Sequence, residues 1–145
     1  MKSSRFRDLQ QRLGDAGIAP TLQRMAVARA LLAAPVHMTA EQVLDAAREH
    51  HLGLSRATVY AALQLFVRHG LLRELPVSGA AVVYDSNTAV HHHLVDIDTG
   101  QVADLPQERL QIQGLADAAA GLQLAGVDVI VRVRGLKERA KAHAR

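Results

Sequence analysis

Three consecutive histidines, His91, His92 and His93, open a segment, AVHHHLVDIDTGQVADL, that also carries Asp96, Asp98 and Asp104. Imidazole nitrogen is the commonest metal ligand in proteins, and carboxylate oxygen accompanies it in sites for divalent first-row metals. On a strand, side chains two apart share a face, so His91 and His93 point one way and His92 the other. Asp104 then falls on the partner strand of a hairpin, across from the histidines. Asp85 ends an earlier strand, and His37 lies in a loop before a helix, where both can reach a domain junction. These residues supply three imidazoles and two carboxylates. A mixed nitrogen and oxygen shell of that size suits Fe(II) or Mn(II), with Zn(II) a further candidate. His92 reads as a surface residue, and His50, His51, His69 and His143 as polar decoration of solvated helix faces.

The elements that must position this set follow from the rest of the chain. It has 145 residues, with 49% hydrophobic and 21% charged, which is the composition of a folded globular protein. It has no cysteine, which excludes disulfides, thiolate zinc sites and thiol redox chemistry. A net charge of +3 and a pI near 9.8 are compatible with a nucleic-acid partner. No apolar run approaches the roughly 20 residues of a membrane span. The opening MKSSRFRDLQQRLGDAG lacks an apolar signal core, so a cytoplasmic location without a membrane partner is expected.

A first helix is expected over residues 3–16, capped by Ser3 or Ser4, with Phe6, Leu9 and Leu13 as its apolar stripe. Pro20 and Thr21 open a second helix, with Leu22, Met25, Ala26, Ala30 and Leu31 near one face. Thr39 and Gln42 form a capping box for a third. Ser55 caps a fourth, RATVYAALQLFVRHG, with Val59, Leu63, Phe66 and Val67 buried and Gly70 as its stop. LLRELPVSGAAVVYD then reads as two short strands around a Ser78–Gly79 turn. Helices followed by such a hairpin make a winged-helix pattern. This half carries ten Lys and Arg against seven Asp and Glu.

Beyond it, HHHLVDID, Thr99–Gly100 and QVADL read as a second hairpin. PQERLQIQGLADAAA reads as a helix opened by Pro106 and ended by Gly121. VDVIVRVRG reads as a strand with Val129, Val131 and Val133 on one face. The tail LKERAKAHAR is basic and reads as the frayed end of a helix. About 50 residues make a small core, so a second copy is expected to cover it, giving a homodimer. The fold class is therefore α+β. It comprises an N-terminal winged helix-turn-helix domain over 1–85, a hinge over 86–90, and a C-terminal α/β dimerisation and metal-binding domain over 91–145.

The first turn of the fourth helix presents Ser55, Arg56, Thr58 and Tyr60. Small polar groups and a cation at a helix N-terminus suit phosphate contact, and a helix-turn-helix sets that turn against major-groove base edges. Thr21 and Arg24, at the start of the second helix, join them as candidate contacts to a double-stranded DNA operator.

TLQRMAVARALL, HMTAEQVLDAA, LSRATVYAALQLFVRHGLL, VVYD and HHHLVDIDTGQVADL together resemble the ferric uptake regulator (Fur) family of bacterial metal-dependent transcription repressors. The resemblance runs from about Gly17 to Gly135. It implies a winged-helix domain, a hinge, an α/β dimerisation domain, and a regulatory metal that fixes the DNA-binding domains in an operator-competent spacing. Its regulatory ligands carry over to His37, Asp85, His91, His93 and Asp104, the same five residues. Many members also hold a structural zinc with paired Cys-x-x-Cys motifs. Here Asp96 and Thr99 occupy the first pair's positions, so a structural zinc held by four cysteines is not expected. A further family site uses a histidine in the last strand, where this chain offers Asp128 or Val129. The position after Tyr60, often basic in the family, is Ala61. The cysteine loss, the triple histidine and YDSN resemble the iron-response-regulator (Irr) branch, which senses haem or iron status, so haem is a further candidate ligand. Asp85 with Asp104 resembles the peroxide-responsive (PerR) branch, in which Fe(II) and peroxide oxidise ligand histidines; His37 and His91 are the corresponding targets. The expected function is thus a metal-dependent DNA-binding repressor, not an enzyme. The competing readings are a non-haem metalloenzyme and a metal store. Few aromatic residues wall a substrate pocket, which weighs against the enzyme.

Overall fold

The computed structural model describes residues 2–75 and 81–143. The expected Ser78–Gly79 turn and the side chain of His143 lie outside the described residues. The chain divides into two compact units, Met1–Thr88 and Ala89–Arg145. The division falls between Thr88 and Ala89. Ser86 belongs to the first unit, because its N–H donates to the Val36 carbonyl and its hydroxyl accepts from the Val36 N–H.

The first unit contains α1 (Lys2–Asp15), α2 (Leu22–Leu31), β1 (His37–Thr39), α3 (Ala40–Arg48), α4 (Arg56–Arg68), β2 (Arg73–Leu75) and β3 (Val83–Asp85). Its strands form an antiparallel sheet in the order β1-β3-β2. The helix starts have local causes. Thr39 and Gln42 close a capping box on α3, with Thr39 N–H to Gln42 Oε1 at 2.9 Å and Gln42 N–H to Thr39 Oγ1 at 3.3 Å. Ser55 caps α4 by accepting from the Thr58 N–H at 3.1 Å. Gly70 ends α4 at φ +75°, where the Leu71 N–H bonds back to the Phe66 carbonyl at 2.9 Å. Glycine adopts that left-handed conformation without penalty.

The core is built from Leu13, Val27, Leu31, Val43, Val59, Leu63 and Phe66, each with no exposed surface. Two expected core positions turn outward: Leu22 is 70% exposed and Phe6 38%. Both lie near the starts of their helices, where fewer neighbours cover them. The deep positions of α2 include Val27 and Ala28, which its apolar stripe does not single out.

The second unit contains β4 (His91–Asp96), β5 (Val102–Pro106), α5 (Leu115–Ala118), β6 (Ile130–Val133) and α6 (Leu136–His143). β4 is central, antiparallel to β5 and parallel to β6. The helix expected over 106–120 is not formed. Pro106 instead closes β5 opposite His91, a single 3-10 turn follows, and α5 spans four residues. Gly114, at φ +79°, breaks the run just before α5. The strand pairing overrides the helical propensity of the Gln-, Leu- and Ala-rich stretch. Among the described residues no helix is long and apolar enough to cross a membrane.

Candidate metal centre and nucleic-acid interface

In the first unit, His37 is a strand residue rather than the loop residue expected, and β1 pairs it directly with Asp85 of β3. This pairing brings His37 Nε2 to 3.2 Å from Asp85 Oδ2. Asp85 is 1% exposed, so its charge requires compensation. Its other oxygen accepts the Asn87 N–H at 2.8 Å, a turn that holds the carboxylate in place.

In the second unit, β4 and β5 place His93 opposite Asp104. Asp104 Oδ1 lies 3.1 Å from His91 Nε2 and 3.9 Å from His93 Nε2. The two imidazole rings meet edge to face with centroids 4.5 Å apart. Both histidines are buried, which leaves few water molecules to compete for their nitrogens. His91 Nδ1 is 2.5 Å from the Ala89 carbonyl, so Nδ1 carries the proton and donates. In the neutral ring Nε2 then holds the lone pair and faces the carboxylate. A carbonyl that fixes the tautomer in this way is the usual outer support of a metal-ligating histidine. The strand alternation places His91 and His93 together as expected.

His92 departs from its expected surface position and is 3% exposed. Its Nδ1 accepts the Val129 N–H at 3.2 Å, which assigns the proton of the neutral ring to Nε2. Neither nitrogen then offers a lone pair to a metal while that bond stands. The ring borders a cavity of about 340 Å³ whose other walls include Val90, Leu110, Ile112 and Leu124.

Asp96 carries a role that its sequence position did not disclose. It is 1% exposed, and its Oδ2 accepts the N–H of Leu136, the first residue of α6, at 2.8 Å. Its Oδ1 accepts the N–H groups of Asp98 and Thr99 at 2.9 and 3.2 Å. The carboxylate therefore ties the β4–β5 turn to the start of α6. The Leu136 N–H contributes most to holding its pKa below the ordinary carboxylate value; burial opposes, and Asp98 and Thr99 add to the lowering. The chain uses this residue as an internal cross-link.

On the DNA side, Thr21 caps α2 by accepting the Arg24 N–H at 3.3 Å, and Arg24 Nη1 donates to the Ala19 carbonyl at 3.0 Å. Thr21 and Arg24 border the same shallow depression, of about 260 Å³, as Thr58, Ala61 and Leu65. The start of α2 thus meets the start of α4. Tyr60 is exposed on α4, and Ser55 and Thr58 hydroxyls bond to each other at 2.8 Å. Arg56 pairs with Glu41, which the sequence pattern did not single out. Gln64 donates to Glu74 at 3.1 Å and so ties α4 to the wing strand β2. Tyr84 at the root of the wing stays a neutral phenol, since burial, then the Glu74 carboxylate and Tyr60, raise its pKa, with Gln64 opposing.

A winged-helix unit followed by a hairpin-centred α+β unit, each with its own histidine–carboxylate group, defines a two-domain metal-dependent transcription regulator. A model of the ferric uptake regulator family matches residues 15–132, and the chain belongs to that family. The peroxide-responsive repressor PerR of Staphylococcus aureus is 32% identical over 105 residues, covering 72% of this chain and 71% of that protein. The ferric uptake regulator of Pseudomonas aeruginosa, solved with manganese, is 27% identical with a TM-score of 0.63, over 88% of this chain and 97% of that one. That of Helicobacter pylori shares the fold at a TM-score of 0.71 and 18% identity, over 96% and 94% of the two chains.

Proposed function

We propose that this chain is a homodimeric repressor that binds operator DNA when Fe(II) or Mn(II) is held by His37, Asp85, His91, His93 and Asp104. The carrying observation is that each unit holds an incomplete donor set of matched chemistry, His37 with Asp85 in one and His91 and His93 with Asp104 in the other. The mixed nitrogen and oxygen donors fit a divalent ion of this class. When bound, such an ion supplies a common centre for donors from both units. His37 and Asp85 can share it with the other three only in one arrangement of the two units, so ligation selects that arrangement from the ensemble. At a ligand concentration of 100 times Kd the selection is about 2.7 kcal/mol, or roughly a hundredfold shift in population.

Thr21, Arg24, Ser55, Arg56, Thr58 and Tyr60 contact the DNA in this reading. A homodimer fits the second unit, where Val95 and Leu136 are the only buried hydrophobics among the described residues. There Val90, Leu122 and Leu124 are more than half exposed, at 69%, 76% and 55%. A second copy packed over them would remove this apolar surface from water.

Tyr60→Ala is expected to weaken operator binding by about tenfold or more with Mn(II) affinity unchanged, the size of a lost base or phosphate contact. Gel-shift and metal titrations check this together, and normal operator binding by the variant removes α4 as the reading helix. A store or buffer protein predicts the opposite pattern, metal binding that leaves DNA affinity untouched.

Peroxide sensing is the favoured form of the signal, supported by the 32% identity to a peroxide-responsive repressor and by carboxylates of aspartate at both acidic ligand positions. Operator complexes formed anaerobically with Fe(II) are then expected to dissociate after a brief peroxide pulse, whereas Mn(II) complexes survive. Mass spectrometry is expected to find added oxygen at His37 or His91. Complexes that survive with either ion, and unmodified histidines, point to plain metal sensing, with haem the next ligand to titrate.

A further inference from the structure

Arg56 is the first residue of α4, directly after the Ser55 cap, and its Nη1 lies 2.8 Å from Glu41 Oε1. The two side chains are 66% and 52% exposed, and an ion pair that exposed contributes little to folding. Its position is the informative part. A cation at a helix N-terminus opposes the helix dipole, and α4 has no acidic residue in its own first turn. The compensating charge comes instead from the first turn of α3. Glu41 lies between Thr39 and Gln42, the two members of the capping box, so its backbone is held from both sides.

Arginine presents five N–H donors in a rigid planar fork. Glu41 engages it at Nη1, which restricts how the rest of the fork can point. Within α4, RATVYAALQLFVR, the next cation is Arg68 in the last turn. Any reading of a base edge by a cation at the start of α4 therefore falls to Arg56. A guanidinium held in one orientation can donate two parallel bonds to guanine O6 and N7, the commonest specific arginine contact in the major groove. An unrestrained one is equally free to meet a phosphate, a contact that carries no sequence information.

We propose that Glu41 is a positioning residue that aims Arg56 at a guanine, and so sets the base preference of α4. This rests on the DNA-binding reading above and names what its reading helix prefers. Glu41 also places a negative charge near the DNA-facing turn, which lowers affinity for arbitrary sequence.

The test is selection from a randomised duplex library with the full-length Mn(II)-loaded protein, followed by sequencing. Wild type is expected to enrich a motif with one strongly preferred guanine in each half-site. Glu41→Ala, Glu41→Gln and Arg56→Lys are expected to lose that single preference by about tenfold and to keep the others. Arg56→Lys keeps the charge but not the fork. Glu41→Ala should also bind unselected DNA a few-fold more tightly, with the slope of log affinity against log salt steeper by about 1. A Glu41→Ala motif identical to wild type, or one weakened equally at every position, overturns the inference while leaving DNA binding intact. A wild-type protein that enriches no motif overturns the DNA-binding reading itself, and the inference with it.

Discussion

Replacing His93 with alanine is expected to lower Mn(II) affinity by more than about 100-fold and to abolish the response of DNA binding to metal. Changing an outer-shell group of a metal site already costs about 10–100-fold, and His93 supplies a donor directly in the proposed set. Its ring is 2% exposed and stands opposite Asp104 across β4 and β5. With the ring removed, four of the five proposed donors remain, and the second unit keeps only His91 and Asp104 of its three. The winged-helix unit does not contain His93, so residual, metal-independent affinity for DNA should equal that of the metal-free wild type. Isothermal titration with Mn(II) and gel-shift assays read the two quantities separately. A variant that binds Mn(II) normally removes His93 from the ligand set.

The second large effect is expected at Asp96. Asp96→Asn keeps one oxygen acceptor but turns the other into a donor, so the side chain can no longer accept both from the Leu136 N–H and from the Asp98 and Thr99 N–H groups. A buried backbone donor then loses its partner, and the β4–β5 turn loses its tie to α6. Tm is expected to fall by about 5 °C or more. Because the folded pKa of Asp96 is lowered, chiefly by the Leu136 N–H, its contribution to stability is present in full above the unfolded value near 4 and is lost as pH falls through the folded value. Wild type should therefore lose stability on acidification in that range more steeply than Asp96→Asn. Thermal melts of both proteins from about pH 6 down to about pH 3 check this, and parallel curves contradict it.

Most of the winged-helix unit was legible because its signals are local. The Thr39–Gln42 box, the Ser55 cap and the Gly70 stop each lie within a few residues of what they control. The alternation of β4 likewise separated His91 and His93 from His92. What stayed hidden depends on pairings distant in sequence. His37 reads as a loop residue because a three-residue strand has no periodicity, and its partner β3 lies far downstream. His92 reads as a surface residue until Val129 arrives beside it on the neighbouring segment. Asp96 looks like a mere absence of cysteine until α6 is seen to start at its carboxylate. The stretch after Pro106 misleads in the opposite way. Its composition favours a helix, but pairing of Pro106 with His91 and the left-handed Gly114 prevent one. The ion pair of Glu41 with Arg56 joins the first turns of two different helices, a proximity that no local pattern records.

The most direct test of metal control is fluorescence anisotropy of a selected operator with chelator-treated protein, measured anaerobically before and after addition of Mn(II). Proposed ligation by His37, Asp85, His91, His93 and Asp104 predicts that Mn(II) tightens operator binding by about 100-fold at saturating metal, and that chelator reverses the gain. Operator affinity that is the same with and without Mn(II), in a protein that titration shows to bind the ion, contradicts it.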